Sequence, residues 1–296
     1  MDITTANNYK LIKQIKDRKF DVDKLNQYSL SIQIGLHDFQ LLVVNTSNNQ
    51  CLLLEDFGLA KIDSYQKLVE TLKIIFEDHH VLSAGFWKSV KISIKNSKYS
   101  FVPASLFDKS ELDNYLQINC KVNKKIEELV YFKHNNSDAV NIFAINKKIL
   151  DWISKAYPNI NVLYTHQASA LIEGVLKASK KYSEDTLFIY VDRFKLHLIT
   201  TKNNNLRYYN QFPIKHFADY IKYIMLVLKG LGYHQKSTEV VISGYLGKQS
   251  RHFHEFGKFI KKLSFGERPV WLKYGHEFDE VEDHQFTDLY ATYLCE

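Results

Sequence analysis

The sequence predicts a mixed α/β protein in which one βββαβα unit occurs twice. Three observations carry that prediction. First, "LSIQIGLHDFQLLVVNTSNNQCLLLEDFGL" (30–59) lies over "LFIYVDRFKLHLITTKNNNLRYYNQFPI" (187–214), with Leu30 on Leu187, Ile34 on Val191 and Phe57 on Phe212. Second, an amphipathic helical stretch follows each copy. Third, a continuous apolar strand and another helix follow each of those. Three strands, helix, strand and helix, repeated in order, imply two α/β halves with mixed sheets.

The elements can be justified in chain order. A helical leader is expected over roughly 7–27. Residues 30–59 alternate as three antiparallel strands, and Asn48-Asn49 supplies the left-handed turn, as Asn203-Asn204 does in the second copy. "DSYQKLVETLKIIFEDHH" places Tyr65, Leu68, Leu72, Ile75 and Phe76 at helical spacing behind an Asp63-Ser64 cap. Residues 85–135 lack an evident counterpart and read as an insertion. Its "VKISIKNSKYSFVPASLF" is expected to be a hairpin turning at Asn96-Ser97, with a short helix from Ser110. Val140-Asn141-Ile142-Phe143 is expected to be the fourth strand of the first half, with a helix at 147–157. In the second half the helix "KHFADYIKYIMLVLKGLGY" ends at Gly230 or Gly232. The strand Val240-Val241-Ile242 and a helix at 249–263 follow, then a C-terminal helix at 283–294. The expected divisions are a leader (1–27), a first domain (28–165, insertion at about 85–135) and a second domain (166–296).

The offset between copies is 157 at Leu30/Leu187 and 155 at Phe57/Phe212, so the second copy is two residues shorter. Pairing Phe39 with Phe194 puts the missing residues in the first turn, at Asp192-Arg193. That hairpin also lacks the glycine that a tight two-residue turn with positive φ would use.

Three stretches extend the reading to a family. "YTHQASALIEG" (164–174) resembles the inter-domain connecting segment of the actin, sugar-kinase and heat-shock-chaperone ATPases, with Ala168, Ser169 and Ala170 permitting close helix approach. "EVVISGYLGKQS" (239–250) resembles their adenosine motif, and "SIQIGLHDFQLLVV" (31–44) their first phosphate hairpin. The resemblance covers Tyr28 to the end. It is to an uncharacterised bacterial family of actin-like ATPase fold, and it implies two ribonuclease-H-like βββαβα domains facing across a cleft.

The resemblance also implies what is missing. Working members use glycine-rich turns whose amides converge on phosphate, with an aspartate beside each turn orienting Mg²⁺. Here only Gly35 remains in the first turn, and Gln33 stands where the aspartate belongs. The second turn retains Asp192, Arg193 and Lys195. One reading has Asp192 holding a metal-bound water while Arg193 and Lys195 meet phosphate by side-chain charge. The other has a polar hairpin turn and no ligand. Tyr245 stands where a second glycine is expected beside Gly244, either to stack on a base or to plug the site. The candidate nucleotide residues are therefore Gly35, His37, Asp192, Lys195, Gly244, Tyr245 and Gly247. Asp192 is the sole catalytic candidate, and no metal site is expected.

Composition bounds the rest. The 296 residues carry 45% hydrophobic content with 19 Tyr and 19 Phe, enough for real cores and against wholesale disorder. The net charge of +6, from 39 basic and 33 acidic residues, is too modest to argue for nucleic acid. Cys51, Cys120 and Cys295 are dispersed and odd in number, which fits a reducing compartment. The opening "MDITTANNYKLIKQIK" has no signal-peptide core, and no apolar run approaches ~18 residues. His79-His80 and His252/His254 lack further zinc ligands, and no G-x-S-x-G elbow is present. The expectation is a cytoplasmic pseudo-ATPase acting as a non-catalytic scaffold or regulatory protein with a protein partner. Its alternatives are a weak or atypical ATPase, binding ATP or ADP without essential Mg²⁺, and, further off, an RNA-binding protein. The aromatic insertion, with Phe86, Trp87, Tyr99, Phe101 and Phe107, is either its partner surface or a small core.

Overall fold

The structure, a computed structural model, describes residues 8–183 and 185–296. The first half opens with strand β1 (Tyr9–Lys16) and the meander β2 (Tyr28–Ile34), β3 (Asp38–Asn45) and β4 (Gln50–Leu59). Helix α1 (Tyr65–Asp78), capped by the Ser64 side chain, leads to β5 (Ser89–Ile94). Then come β6 (Tyr99–Val102), the short helix α2 (Leu112–Gln117), β7 (Glu127–Lys133), β8 (Val140–Asn146), α3 (Lys147–Ala156), β9 (Leu163–His166) and α4 (Gln167–Ala178). The second half is β10 (Leu187–Val191), β11 (Lys195–Lys202), β12 (Asn205–Pro213), α5 (Phe217–Gly230), β13 (Glu239–Gly244), α6 (Arg251–Phe259), β14 (Lys262–Phe265) and α7 (Thr287–Thr292).

The duplication shows in the sheets. The first runs β1-β4-β3-β2-β5-β9 and the second β12-β11-β10-β13-β14. Apart from β1, their orders correspond strand for strand. In each, an antiparallel meander is extended by two parallel strands reached through helical crossovers. Helices α1 and α3 cover the outer face of the first sheet, packing on Leu30, Ile32, Leu41 and Ile92. Helices α5 and α6 cover that of the second, on Ile189, Leu198 and Ile242. Helices α4 and α7 lie between the sheets. They approach closely enough that a Cβ on Gly174 would stand 2.9 Å from the Ala291 methyl.

Register corrects four expectations. The first concerns the two residues missing from the second copy. Gly35 N–H donates to Asp38 O at 2.9 Å, and Asp192 N–H to Lys195 O at 2.9 Å. The two hairpin turns are thus equal in length, Gly35 matches Asp192, and His37 matches Phe194. The missing residues lie instead in the next turn, where 46–49 faces 203–204. That turn is shortened to Asn203 and Asn204, both left-handed at φ 52° and 60°. Neither Arg193 nor Phe194 has positive φ, so the hairpin needs no glycine.

Second, β5 is not half of a hairpin. It runs parallel to β2 and β9 inside the first sheet, as β13 does in the second. Its alternating Lys91, Ser93 and Lys95 look solvent-facing in the sequence, but they face the layer between the sheets. There the Lys91 ammonium donates to the Tyr293 carbonyl at 2.6 Å. Third, β8 is not the fourth strand of the first half. It is the middle of a separate antiparallel sheet, β6-β8-β7, so the insertion runs from about 99 to 146. Apolar strands announce burial and not their partners, and β5 and β8 are equally apolar on one face.

Fourth, the leader is not helical. β1 pairs antiparallel with β4 and closes an edge that would otherwise expose unpaired amides. Only a short 3-10 turn at Val22–Gln27 follows. Residues 1–7 of the expected leader lie outside the described residues. Leu11, Ile12 and Ile15 fit either period, and the free edge of β4 decides between them.

The insertion's aromatics are mostly interior. Trp87 is buried in the first core, and Phe107 packs on Tyr131 at 4.9 Å. Tyr99 and Phe101 pack against Tyr209 of the second half at 5.7 and 5.5 Å. Phe86 alone of the five is well exposed, at 74%.

Candidate functional site

The two equivalent hairpin turns meet tip to tip. His37 and Phe194, matching positions of the two copies, have ring centroids 4.6 Å apart. In the resembled ATPases, nucleotide phosphates would lie between these turns. Here the space holds side chains of the chain itself.

The alternation of the strands aims those side chains inward. Across the first sheet, Asp56, Gln40, Gln33, Ser93 and Thr165 are paired neighbours in one buried polar row. Beyond it Asp38 and Lys95 project at the open ends of β3 and β5. The Lys95 ammonium, on a side chain only 5% exposed, lies 2.7 Å from Asp38 Oδ2 and 3.2 Å from Asp192 Oδ1. Arg193 reaches back from the second half, 2.9 Å to Asp38 Oδ2 and 2.5 Å to Asp56 Oδ2. Gln40 donates to Asp56 at 2.9 Å. Gln167, at the start of α4, donates to Asp192 at 3.0 Å and to Asp288 at 2.9 Å. The Tyr190 hydroxyl donates to Asp288 at 2.5 Å. Each ion pair between Lys95 and Asp192, or between Arg193 and Asp38 or Asp56, joins one half to the other.

Burial and charge set the protonation states. Burial disfavours the Lys95 cation, but Asp192 and Asp38 outweigh it and hold the ammonium well above its ordinary range. Burial likewise opposes ionisation of Asp192, yet Lys95 and His197 pull its carboxyl below the ordinary value. Arg193 is held protonated against burial by Tyr245, Asp56 and Asp38. Asp288 goes the other way, its carboxyl raised by burial. Burial lowers Lys195, which faces Asp192, Lys95 and Asp38 through space. His197 is pushed down by burial to about 3, so its imidazole is neutral.

The nucleoside side is closed as well. Gly244 has φ +96°, and a Cβ there would stand 2.2 Å from the Val191 carbonyl oxygen. The next residue, Tyr245, lies under the Arg193 guanidinium, 4.6 Å from ring centroid to Cζ, and against Phe286. Its hydroxyl meets the Gln40 amide. Burial drives that hydroxyl well above its usual pKa.

The sequence candidates therefore divide. Gly35, His37, Asp192, Lys195, Gly244 and Tyr245 converge on the cleft. Gly247 is exposed on the turn into α6, where its carbonyl accepts the Ser250 N–H and a Cβ would meet nothing. Gly35 admits the Asp38 carboxylate, 2.5 Å from where its Cβ would be. Sequence reasoning missed Asp38, Asp56, Lys95, Gln167 and Asp288. The available signal was charge at alternate positions of otherwise apolar strands. Among the described residues, no group of three or more His, Cys, Asp or Glu side chains converges as metal ligands.

Two duplicated α/β halves facing across paired hairpins define the class: an actin-like ATPase fold, here with an ion-paired cleft. The chain belongs to the family described as protein of unknown function DUF3822, which matches residues 17–263. A solved structure from Bacteroides thetaiotaomicron VPI-5482, described as a protein with actin-like ATPase fold and unknown function, is similar at a TM-score of 0.78 and 23% identity. The match covers 94% of this chain and 99% of that one. The PilM-PilN type IV pilus biogenesis complex contains a chain similar at a TM-score of 0.59 and 10% identity, over 90% of this chain and 97% of that one. No curated protein matches the sequence. No helix among the described residues is long and apolar enough to cross a membrane.

Proposed function

We propose that this protein is a non-catalytic, nucleotide-independent binding protein of the cytoplasm, built on an actin-like frame whose cleft is latched by its own charges. In this reading residues 28–165 and 166–296 are the two domains, and the latch fixes their relative position for a protein partner. One observation carries it: Lys95 and Arg193 spend their charges on Asp38, Asp56 and Asp192 across the line where phosphates would lie. A triphosphate entering here would meet three carboxylates that already hold Lys95 and Arg193. Lys195 is the nearby cation that makes no ion pair among the described residues, and no glycine-rich amide cradle would compensate. The PilM-PilN complex supports a protein partner, because there a similar frame belongs to a protein complex.

The alternative, weak ATP binding with or without turnover, is separated by ligand-induced stabilisation, which scales as RT ln(1 + [L]/Kd). Thermal melting with millimolar ATP, ADP and adenosine, each with and without Mg²⁺, should show no shift. A Mg²⁺-dependent shift for ATP, lost in Asp192→Asn, would overturn the proposal and restore a nucleotide site.

A further inference from the structure

A second feature lies away from the cleft, where α4 and the segment 266–271 cover the inner face of the second sheet. Between them is a cavity of about 280 Å³. That is room for about nine groups the size of water or methylene, taken at ~30 Å³ each. Its walls are hydrocarbon and aromatic, from Leu171, Val175, Phe188, Ile199, Val241 and Trp271. Few polar groups reach its margin, and of these the Trp271 indole N–H is buried without a partner among the described residues. Tyr190 donates its hydroxyl to Asp288, and the Ser243 hydroxyl packs against Gly266, 2.3 Å from where a Cβ would be. Such walls offer few hydrogen bonds to a base or a sugar and select chiefly by hydrophobic burial.

The rim has the opposite character. Lys177, Lys180, Lys181 and Arg268 surround the opening against a single carboxylate, Glu267. Lys181 is paired with Glu267, and Arg268 with Asp279 and Asp283. Lys177, in the last turn of α4, and Lys180, in the 3-10 turn that follows it, are both exposed and make no ion pair among the described residues. An apolar interior with two cations at its mouth that make no ion pair among the described residues is complementary to an apolar chain ending in an anion.

We propose that this cavity binds an anionic amphiphile: an unbranched acyl chain of roughly nine or ten carbons inside, with its carboxylate held at Lys177 and Lys180. The site meets the cleft at Tyr190 but does not depend on how the cleft is read. Its margin includes Gly174, the point at which α4 passes α7, so an occupant touches the helix that joins the two halves.

Decanoate is the probe, titrated calorimetrically below its micellar concentration, with decanol and decyltrimethylammonium as matched chains. Decanoate should bind one to one and change tryptophan fluorescence, and Trp271→Phe should abolish the change. Decanol should bind at least tenfold more weakly, and the cationic chain should not bind. The pair Lys177→Glu and Lys180→Glu, both on the surface, should weaken decanoate at least tenfold while leaving the melting temperature of the free protein unchanged. Val175→Trp should fill the cavity and exclude decanoate. Absence of decanoate binding, or equal binding of decanol and decanoate, would overturn the proposal. So would a concentration-dependent dimer, broken by Val270→Asp at the exposed lip, that forms without any decanoate binding: the face would then belong to a second copy.

Discussion

Lys95 and Tyr245 occupy the same position in the two halves of the molecule. The Lys95 N–H donates to Ile34 O at 2.9 Å, and the Tyr245 N–H to Val191 O at 2.7 Å, each one residue beyond the parallel strand it follows. Their side chains then cross the cleft in opposite directions. Lys95 leaves the first half and reaches Asp192; Tyr245 leaves the second and reaches Gln40. The duplication has thus produced one polar strut and one aromatic plug from a single ancestral-type position. Together they occupy both the phosphate side and the nucleoside side of the cleft.

Lys95→Met should be strongly destabilising. The substitution keeps the aliphatic stem but leaves Asp38 and Asp192, both under 10% exposed, facing each other without their shared cation. Removing one partner of a buried ion pair costs about 3–5 kcal/mol. Denaturant unfolding should show a loss of that size. Adding Asp192→Asn to Lys95→Met should recover part of it, because the stranded charge is then gone. A loss below about 1 kcal/mol would mean that the cleft is wet and the latch weak.

Acid stability should fall in two stages. In the folded protein His197 titrates at about 3, against about 6.5 in the unfolded chain. Between those values the unfolded chain binds the extra proton, so stability declines as pH falls below about 6.5. His166, also lowered by burial, adds to the same slope. Asp192 enters later. Its folded carboxyl is depressed, so its contribution is present above about pH 4 and is lost below it. Unfolding free energy measured from pH 8 to 3 should show both stages. His197→Gln should reduce the first slope, His166 supplying the rest, and should weaken the second, since His197 helps to depress Asp192; an unchanged upper slope would contradict the assignment.

How much of this was legible in the sequence can be judged residue by residue. The duplicated meander was, because alternation and the asparagine turns are local signals that neighbouring strands can only reinforce. The position of β5 was not. Its Lys91, Ser93 and Lys95 have the pattern of a half-exposed strand, and only the second half shows that their face is covered. The shortened turn was misplaced because two aromatic residues, Phe39 and Phe194, invited alignment, whereas hydrogen-bond register pairs Phe39 with Leu196 across the repeat. The departure from glycine-rich turns could be read from Gln33 and the absent glycines. What filled the space could not, since Lys95, Asp38, Asp56 and Arg193 meet only after two sheets have been folded and docked.

Gly244, which ends β13, and Gly247 beyond it should behave oppositely. At Gly244 an alanine would adopt a left-handed backbone and place its methyl 2.2 Å from the Val191 carbonyl oxygen, on the strand paired with β13. Backbone cannot give way as a flexible side chain would, so Gly244→Ala should cost at least about 3 kcal/mol. Gly247→Ala meets no atom within 4 Å and has no positive φ. It should change stability by less than about 0.5 kcal/mol, as surface substitutions do. Parallel thermal melts would compare them, and equal effects would show that the tightness at Gly244 has been overstated.

The last expectation concerns β1, the strand with no counterpart in the second half. It pairs with β4 along Tyr9–Lys16 and presents Lys10, Lys13 and Lys16 at the sheet edge. Charged side chains on an edge strand discourage pairing with another chain. β4 beneath it carries Leu52, Leu53 and Leu54, all buried, and on that side β1 pairs Leu53–Leu59 while Lys273 bridges the strand's start at Gln50. Removing residues 1–17 would expose the edge of β4 over Leu53–Leu59 without removing any residue of the cleft. The truncated protein should therefore self-associate, seen as growth of scattering at micromolar concentration, while keeping its far-UV circular dichroism. Placing a lysine at Leu53 in the truncated chain should reduce the association, at the cost of core packing on α1. A truncated chain that stays monomeric would show that β1 adds stability alone and does not guard the edge.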